Sequence, residues 1–263
     1  MTILNSLVPT PGLRVLVTAG ASGIGAAIAR AFNEAGASVH VCDIDRAAID
    51  RLMTELPGVS ASVADASVER DVDLVFDDVV GSFGGLDVLV NNAGIAGPTG
   101  PIGELGFGQW QRTVEVNLNS QFLFARRAVP LLTQSTARPS IIAMSSVAGR
   151  LGYAYRTAYA STKWAVVGLM KSLAIELGPR GVRVNAILPG TVEGERMNGV
   201  IAARAAALGT SVEATRDEYL KKISLRRMVS ADDVAAAALF LSSPAANNIT
   251  GQAISVDGNL EYL

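Results

Sequence analysis

The chain has 263 residues, of which 49% are hydrophobic and 17% are charged, and its formal net charge is −2. A high apolar fraction with so little net charge excludes a disordered chain and a global basic field for nucleic acid. The single cysteine, Cys42, excludes an internal disulfide, and the single histidine, His40, excludes a His-rich metal site. Whatever chemistry occurs must therefore run largely without Cys or His, and we expect no metal.

The start of the chain and its hydropathy favour a soluble protein. Residues 1–14 show no basic segment followed by a long apolar run, so no secretory signal is visible. The longest plainly apolar stretches, such as residues 234–241, fall far short of the roughly 20 residues that a membrane-spanning helix needs. The mean hydropathy of +0.34 therefore indicates a large buried core. We expect a cytoplasmic protein without membrane or nucleic-acid partners.

Short runs rich in Val and Ile alternate along the chain with longer segments of helical spacing. Seven runs are predicted as strands, at residues 13–18, 38–43, 60–63, 87–91, 140–145, 183–188 and 253–256. Most of them are apolar almost throughout, as expected for strands covered on both faces. Between them, helices are predicted at residues 25–35, 47–56, 68–83, 109–132, 159–177 and 232–241. This alternation predicts an α/β protein, namely one doubly wound (Rossmann) domain over residues 1–263, whose seven-stranded parallel sheet has helices on both faces.

One irregular stretch, residues 191–227, lies between the sixth strand and the last helix. It mixes Gly, Met, Arg and Glu, and it contains helical pieces around residues 200–208 and 212–222. Because a long insertion at the carboxyl edge of a parallel sheet lies over the ligand site, we expect a substrate lid here.

A glycine-rich turn joins the first strand to the first helix. Glycines at this point let the backbone approach a pyrophosphate, and the helix N-terminus presents free N–H groups to it. Similar turns also close many strand–helix units that bind nothing, so the turn alone does not establish a cofactor. The candidate cofactor residues of the turn are Thr18, Gly20, Ser22, Gly23, Ile24 and Gly25.

Asp43 ends the second strand, 18 residues after Gly25. A carboxylate there can accept both ribose hydroxyls of an adenosine, and it would repel a 2′-phosphate. The alternative is an ordinary strand-end carboxylate that caps a turn with Asp45. Because the glycine turn carries no Arg or Lys, the sequence favours NAD over NADP as the cofactor.

Tyr159 and Lys163 are four residues apart on a predicted helix, so both side chains lie on one face about one turn apart. A tyrosine with its ordinary pKa of about 10 is a poor base at neutral pH, and a nearby ammonium lowers that pKa. The pair therefore provides a proton-transfer group without histidine. Standing alone, such a pair is more often a solvated helix face.

Nearly the whole chain resembles the short-chain dehydrogenase/reductase family, in its single-domain type. Besides the glycine turn and the Tyr159–Lys163 pair, the family's motifs occur in order on the predicted elements: Asn91-Asn92-Ala93-Gly94 ending the fourth strand, Asn117 in a helix, Ser146 thirteen residues before Tyr159, and Pro189-Gly190 after the sixth strand. Asp65, after the third strand, matches the residue that contacts the adenine amino group.

One residue departs from the family pattern. Ala19 follows Thr18 where the family usually has Gly. An added methyl is tolerable only if residue 19 keeps a negative φ and its side chain points away from the cofactor. The hypothesis is that the pyrophosphate still docks normally, which requires both conditions.

The resemblance implies a catalytic tetrad. Tyr159 would exchange a proton with the substrate oxygen, and Ser146 would orient that oxygen. Lys163 would hold the nicotinamide ribose and lower the pKa of Tyr159, and Asn117 would position a water that connects Lys163 to solvent. The cofactor residues implied beyond the glycine turn and Asp43 are Asp65, Ala66, Asn91, Ala93, Gly94, Tyr159, Lys163, Pro189, Gly190 and Thr191.

Three of these assignments have competitors. Ser145 competes with Ser146, although the thirteen-residue spacing favours Ser146. Asn119 competes with Asn117, which the Asn-Leu pattern of the family favours. Asn91 has a structural alternative, which is to satisfy backbone groups between adjacent strands.

The substrate pocket is expected between residues 96–97, 147–155 and 192–208. Its mix of charged and aromatic residues favours a polar or amphipathic secondary alcohol over a long acyl chain on a carrier protein, although Arg150, Arg156 and Arg204 would suit such a carrier. Each of these charges is equally well explained as a solvated surface group. The candidate substrate contacts are Ser146, Val147, Tyr153, Tyr159, Glu193 and Met197, and the further lining candidates are Arg150, Tyr155, Glu195 and Arg196.

Three functions remain open at this point. The first is an NAD-dependent dehydrogenase of a small secondary alcohol, sugar or hydroxy acid. The second is an NADPH-dependent ketone reductase, which Asp43 disfavours, and the third is a non-catalytic NAD-binding sensor, which the complete tetrad disfavours. The resemblance also implies a homotetramer that pairs residues 109–132 and 159–177 across one axis and packs residues 232–241 and 251–263 across another. For the apolar ending 259–263, the alternative to a tail packed on a neighbour is a frayed terminus.

Overall fold

The protein is described by a computed structural model over residues 2–261. These residues form a parallel seven-stranded sheet with strand order β3-β2-β1-β4-β5-β6-β7. The strands are β1 (Arg14–Thr18), β2 (Ser38–Asp43), β3 (Ser60–Val63), β4 (Val88–Asn91), β5 (Ser140–Met144), β6 (Arg183–Pro189) and β7 (Ala253–Val256). Every strand end lies within one residue of its predicted position, and the predicted doubly wound sheet is confirmed.

Helices follow the strands in the predicted order. They are α1 (Ile3–Ser6), α2 (Gly23–Glu34), α3 (Arg46–Glu55), α4 (Glu69–Phe83), α5 (Phe107–Val114), α6 (Ser120–Leu132), α7 (Thr157–Leu177), α8 (Glu195–Leu208), α9 (Val212–Lys222) and α10 (Ala231–Ser242). The single helix predicted at 109–132 is wrong in detail, since a π-helical segment, Glu115–Asn119, separates α5 from α6. Within residues 2–261, no helix is both long and apolar enough to cross a bilayer.

Helices cover both faces of the sheet. One core cluster packs α4, α6 and α7 against one face, and a second packs α2, α3 and α10 against the other. Along β1, Leu16 belongs to the first cluster, while Val15 and Val17 belong to the second. Because successive strand residues point to opposite faces, a strand buried on both sides is apolar at most positions, which explains the runs of Val and Ile.

His40 and Cys42 are both buried in β2. The two ring nitrogens of His40 lie 2.8 Å from the hydroxyls of Ser60 and Ser62, and burial lowers the pKa of His40 to about 4. Burial raises the pKa of the Cys42 thiol to about 12. Both side chains are therefore core residues that remain uncharged at neutral pH.

The end of the chain folds back onto the 191–227 insertion and the loop after β5. Leu260 is buried against Val147 and Ile223, and Arg150 forms a 2.9 Å salt bridge with Asp257. The predicted tail at 259–263 thus packs on its own chain through Leu260, while residues 262 and 263 lie outside the described part. Packing of this segment on a second subunit stays a prediction.

Candidate active site

A cavity of about 630 Å³ lies between the glycine turn, the carboxyl ends of β4, β5 and β6, and the start of the insertion. All six predicted substrate contacts line it. So do ten predicted cofactor residues, namely Ser22, Gly23, Ile24, Gly25, Gly94, Tyr159, Lys163, Pro189, Gly190 and Thr191. Seven other predicted cofactor residues lie outside its lining: Thr18, Gly20, Asp43, Asp65, Ala66, Asn91 and Ala93.

Thr18 stabilises the glycine turn through hydrogen bonds made in the core. It is fully buried, and its Oγ1 accepts hydrogen bonds from the backbone N–H groups of Asn92 and Ala93 at 2.9 and 2.8 Å. Asn92 Nδ2 in turn donates to the carbonyls of Thr18 and Ala19. These contacts tie the turn to the end of β4. Asn92 is not among the candidate cofactor residues, although it lies in the Asn-Asn-Ala-Gly motif.

The expected negative φ at Ala19 is wrong. Ala19 has a φ of 49° and lines the cavity. A left-handed conformation costs a residue with a Cβ roughly 1–2 kcal/mol, so surrounding contacts must hold it. The hydrogen bond from Asn92 to the Ala19 carbonyl is one such contact. The conformation is therefore set by a neighbouring strand, which a local preference cannot reveal.

The shape of the turn fits a dinucleotide pyrophosphate. A Cβ built on Gly23 would meet no atom within 4 Å, so the backbone is open on that side. Ser22, the N-cap of α2, makes no side-chain capping bond, which leaves N-terminal N–H groups of the helix available to an anion. The turn therefore fits the pyrophosphate of a dinucleotide.

Replacing Gly25 by Ala is expected to weaken cofactor binding at least about tenfold, or about 1.4 kcal/mol. A Cβ at Gly25 would lie 2.1 Å from the Ala19 carbonyl oxygen and 2.8 Å from Asn92 Nδ2, so the turn must shift. Fluorescence titration with NADH measures the Kd. Gly81→Ala, in α4, is the matched control because its new methyl meets nothing within 4 Å. Equal affinities in the two variants would contradict a role for the turn.

Lys163 is buried beside Tyr159 on α7. The Lys163 side chain is enclosed, its Nζ donates to the Met144 carbonyl at 2.8 Å, and the same Nζ lies 5.6 Å from the centroid of the Tyr159 ring. Burial lowers the pKa of Lys163 to about 8. The ammonium is therefore held close to the phenol that it is expected to influence.

The pKa of Tyr159 lies below its ordinary value. Burial alone raises it, but nearby positive charges on Lys163, Arg196 and Arg156 and a hydrogen bond from Ser146 outweigh that effect. The phenol consequently gives up its proton more readily than a free tyrosine, as a group that shuttles a proton near neutral pH requires.

The two adjacent serines have different partners. Ser145 Oγ donates to the Lys163 carbonyl at 2.8 Å, which anchors the loop to α7. Ser146 Oγ accepts from the Ala148 N–H at 3.2 Å, donates to the Pro189 carbonyl at 3.5 Å, and lies close enough to Tyr159 to lower the pKa of that phenol. The geometry favours Ser146 as the serine that shares an oxygen with Tyr159.

Asn117 lies in the π-helical segment and is fully buried, whereas Asn119 is exposed. Asn117 Oδ1 accepts from the Ile95 N–H at 2.7 Å, and its Nδ2 donates to the Ile95 carbonyl and to Thr162. A Cβ on Gly94 would lie 3.3 Å from Asn117 Oδ1 and 3.4 Å from Lys163 Nζ. Glycine at position 94 therefore keeps the space beside both side chains open.

Asp43 faces the glycine turn from the end of β2. Its carboxylate accepts from the backbone N–H groups of Ala21 and Asp45, each at 3.1 Å. The turn-capping alternative is thus realised in part, because one oxygen bonds Asp45. The same contacts hold the carboxylate beside the turn, where an adenosine ribose would lie.

Asp65 and Asn91 both have protein partners. Asp65 forms a 2.9 Å salt bridge with Arg112 and accepts two hydrogen bonds from Ser67. Asn91 Nδ2 donates to the Gln121 carbonyl at 2.9 Å, and the Gln121 side chain donates back to the Asn91 carbonyl. The structural alternative for Asn91 is favoured, although its partner belongs to α6 and not to an adjacent strand.

On the substrate side, the structure corrects two lining candidates. Arg150 is bound to Asp257, and Tyr155 is exposed, so neither lines the cavity, and residues 96–97 do not line it either. Tyr219 of α9 does line it, and its hydroxyl is hydrogen-bonded to that of Tyr153. Tyr219 belongs to no recognised sequence motif, and it reaches the cavity only because the insertion folds over it.

Known proteins and a family model match nearly the whole chain. A family model described as "Enoyl-(Acyl carrier protein) reductase" matches residues 18–260. L-fucose dehydrogenase of Mus musculus is 37% identical over 250 residues, which is 95% of this chain and 89% of that protein. This chain belongs to the short-chain dehydrogenase/reductase family and is an oxidoreductase that acts on an alcohol or a ketone.

Two solved structures extend the comparison to bound cofactors. The 3-ketoacyl-(acyl-carrier-protein) reductase of Brucella melitensis, complexed with NADH, has a TM-score of 0.85 and 33% identity, covering 95% of this chain and 98% of that one. A single-residue variant of actinorhodin polyketide ketoreductase, solved with NADPH, has a TM-score of 0.90 and 30% identity, covering 95% of this chain and 97% of that one. Proteins similar to this chain thus bind either nicotinamide dinucleotide.

Proposed function

We propose that the protein is an NAD-dependent dehydrogenase that interconverts a secondary alcohol and a ketone. The observation that carries this proposal is the cluster on the cavity wall, in which Tyr159 has a lowered pKa and lies beside Ser146 and the buried Lys163. A phenol in this setting can accept the hydroxyl proton of an alcohol or return it to a ketone.

Each side chain of this cluster has a separate role in the proposed reaction. Ser146 hydrogen-bonds the substrate oxygen and orients it toward Tyr159, whose Oη takes the proton during oxidation. Lys163 favours the phenolate and binds the nicotinamide ribose, while Asn117 holds the water through which Lys163 exchanges protons with solvent. The glycine turn and Thr191 position the two ends of the cofactor, which when bound accepts or donates the hydride. The 191–227 insertion closes the cavity as a lid.

NAD is proposed over NADP because of Asp43. Its carboxylate is held beside the glycine turn by Ala21 and Asp45, and no Arg or Lys in that turn offsets its charge. A 2′-phosphate at the adenosine ribose would be repelled, whereas ribose hydroxyls would donate to the carboxylate.

The test is a panel of secondary alcohols, polyols and hydroxy acids with NAD and NADP, followed through the absorbance of the reduced nicotinamide. Asp43→Asn is expected to lower the NAD-to-NADP ratio of kcat/KM at least about tenfold, since one charge in contact with a phosphate is worth more than about 1.4 kcal/mol. Asp45→Asn is the matched control, because Asn still caps α3. A wild-type preference for NADP would instead establish the NADPH-dependent reductase.

A homotetramer is also proposed, on the basis of the family and of two exposed side chains. Phe122 of α6 is 50% exposed and Ile175 of α7 is 81% exposed. These helices belong to the faces that the family resemblance assigns to subunit pairing, where such apolar surface would be covered.

A further inference from the structure

One buried arginine in the cavity has no assigned role. Arg156 is the N-cap residue of α7, is 4% exposed and contributes to the cavity lining. Its guanidinium carbon lies 4.8 Å from the centroid of the Tyr159 ring and 5.1 Å from that of Tyr153. A full positive charge is therefore held within a few ångströms of the group assigned to proton transfer.

The protein satisfies this guanidinium only in part. Arg156 Nη2 donates to the Ala96 carbonyl at 2.8 Å, but the buried Nε has no hydrogen-bond partner within residues 2–261. No carboxylate in the described part of the chain forms a salt bridge with Arg156. The two aromatic rings stabilise the charge without accepting the Nε proton. A buried cation without a counter-ion is unfavourable, and an anionic ligand would supply what is missing.

The other charged groups of the cavity do not neutralise Arg156. Lys163 and Arg196 add two further cations to the lining, while Glu193 and Glu195 are solvent-exposed carboxylates that make no salt bridge to Arg156. Among the residues that the structure describes, the positive charge nearest the Tyr159 ring therefore has no counter-ion.

We propose that Arg156 binds a carboxylate of the substrate, which makes the substrate class a short hydroxy acid and its keto acid. The inference rests on the proposed function, since the hydroxyl must reach Tyr159 and Ser146 while the carboxylate reaches Arg156. Because the guanidinium lies 4.8 Å from the Tyr159 ring, only a few bonds can separate the two groups of the substrate. A neutral sugar or polyol has no group that neutralises Arg156, whereas arginine and carboxylate match in charge and in planar, bidentate geometry.

The first test compares hydroxy acids with their own methyl esters, which share the reacting carbon and differ in charge. Lactate, 3-hydroxybutyrate and their methyl esters are assayed with NAD and NADP. We expect the wild type to favour the acid at least about tenfold in kcat/KM, Arg156→Gln to abolish this preference, and Arg156→Lys to retain part of it. A purely structural role of Arg156, or an effect on Tyr159 alone, changes both substrates alike and leaves the ratio unchanged.

The second test measures binding without turnover. Cofactor-loaded protein is titrated calorimetrically with propionate and with its neutral isostere propionamide. The wild type is expected to bind propionate at least about tenfold more tightly, and Arg156→Gln to lose the difference. Arg30→Gln is the matched control, because Arg30 of α2 forms a surface salt bridge with Glu55 and lies outside the cavity lining.

The two tests separate the two proposals. If the protein oxidises neutral alcohols but neither prefers the acids nor distinguishes propionate from propionamide, the carboxylate site is wrong and the proposed dehydrogenase activity is supported. Propionate discrimination that depends on Arg156, with no turnover of any alcohol, establishes the site and overturns the dehydrogenase. Absence of both turnover and discrimination overturns both.

Discussion

Replacement of Tyr159 by Phe is expected to lower kcat about 10³-fold while the Kd for NADH stays within about twofold. The change removes one hydroxyl and keeps the ring that packs against Arg156 at 4.8 Å. The substrate oxygen then has no positioned group with which to exchange its proton, whereas the cofactor surfaces are preserved. A non-catalytic sensor would lose nothing by the same change, since it performs no proton transfer.

Steady-state assays and NADH fluorescence titration measure the two quantities on the same preparations. Tyr155→Phe is the matched control, because Tyr155 is exposed and lies outside the cavity lining. A Tyr159→Phe enzyme that keeps its rate within about tenfold of the wild type would refute the assignment of Tyr159 as the general acid and base.

The pH dependence of the wild type follows from the same pKa. The positive charges on Lys163, Arg196 and Arg156 and the Ser146 hydrogen bond outweigh burial and favour the phenolate of Tyr159. Alcohol oxidation needs the phenolate, so its kcat rises with pH and levels off below the ordinary pKa of tyrosine, about 10. Ketone reduction needs the phenol, so its kcat falls over the same range.

Replacement of Asp87 by Ala is expected to lower the free energy of unfolding by about 3 kcal/mol. Asp87 is buried just before β4, and its carboxylate accepts from the backbone N–H, Nε and Nη2 of Arg14 at 2.9, 2.9 and 2.7 Å, and from Ser135 at 2.6 Å. Alanine leaves these donors unpaired at the point where β1 and β4, the centre of the sheet, are joined.

Urea denaturation followed by circular dichroism, at one protein concentration, measures the loss. The matched control is Asp73→Ala, which breaks an exposed salt bridge to Arg127 and is expected to cost at most about 0.5 kcal/mol.

The stabilisation by Asp87 also depends on pH. Burial raises the pKa of Asp87, but the hydrogen bonds from Arg14 and Ser135 lower it by more, so the pKa lies below its ordinary value. The stabilisation is thus complete above pH of about 4 and is lost as the pH falls through the folded-state pKa. The difference between wild type and Asp87→Ala must therefore shrink in acid, and a difference that persists there would contradict the assignment.

Much of the fold was predictable because its signals are local. A strand covered on both faces is apolar at most positions, so strands such as β4 and β5 are visible as short, mainly apolar runs in the sequence. The π-helical segment at Glu115–Asn119 left no such signal. Its residues are spaced as in an ordinary helix, and the buried contacts of Asn117 with Ile95 and Thr162 accompany the altered winding.

The sequence by itself determined the order of strands and helices, the glycine turn, and the pairing of Tyr159 with Lys163. Each depends on spacing within one element, and four residues on a helix define one face wherever that helix lies. The tertiary structure alone decided the left-handed backbone of Ala19, the bracing of the turn by Asn92, and the partly unsatisfied Arg156 beside Tyr159. These features arise from contacts between segments that are distant in the chain. Such contacts determine which groups are buried and which have partners, and they produce no periodic pattern in the sequence.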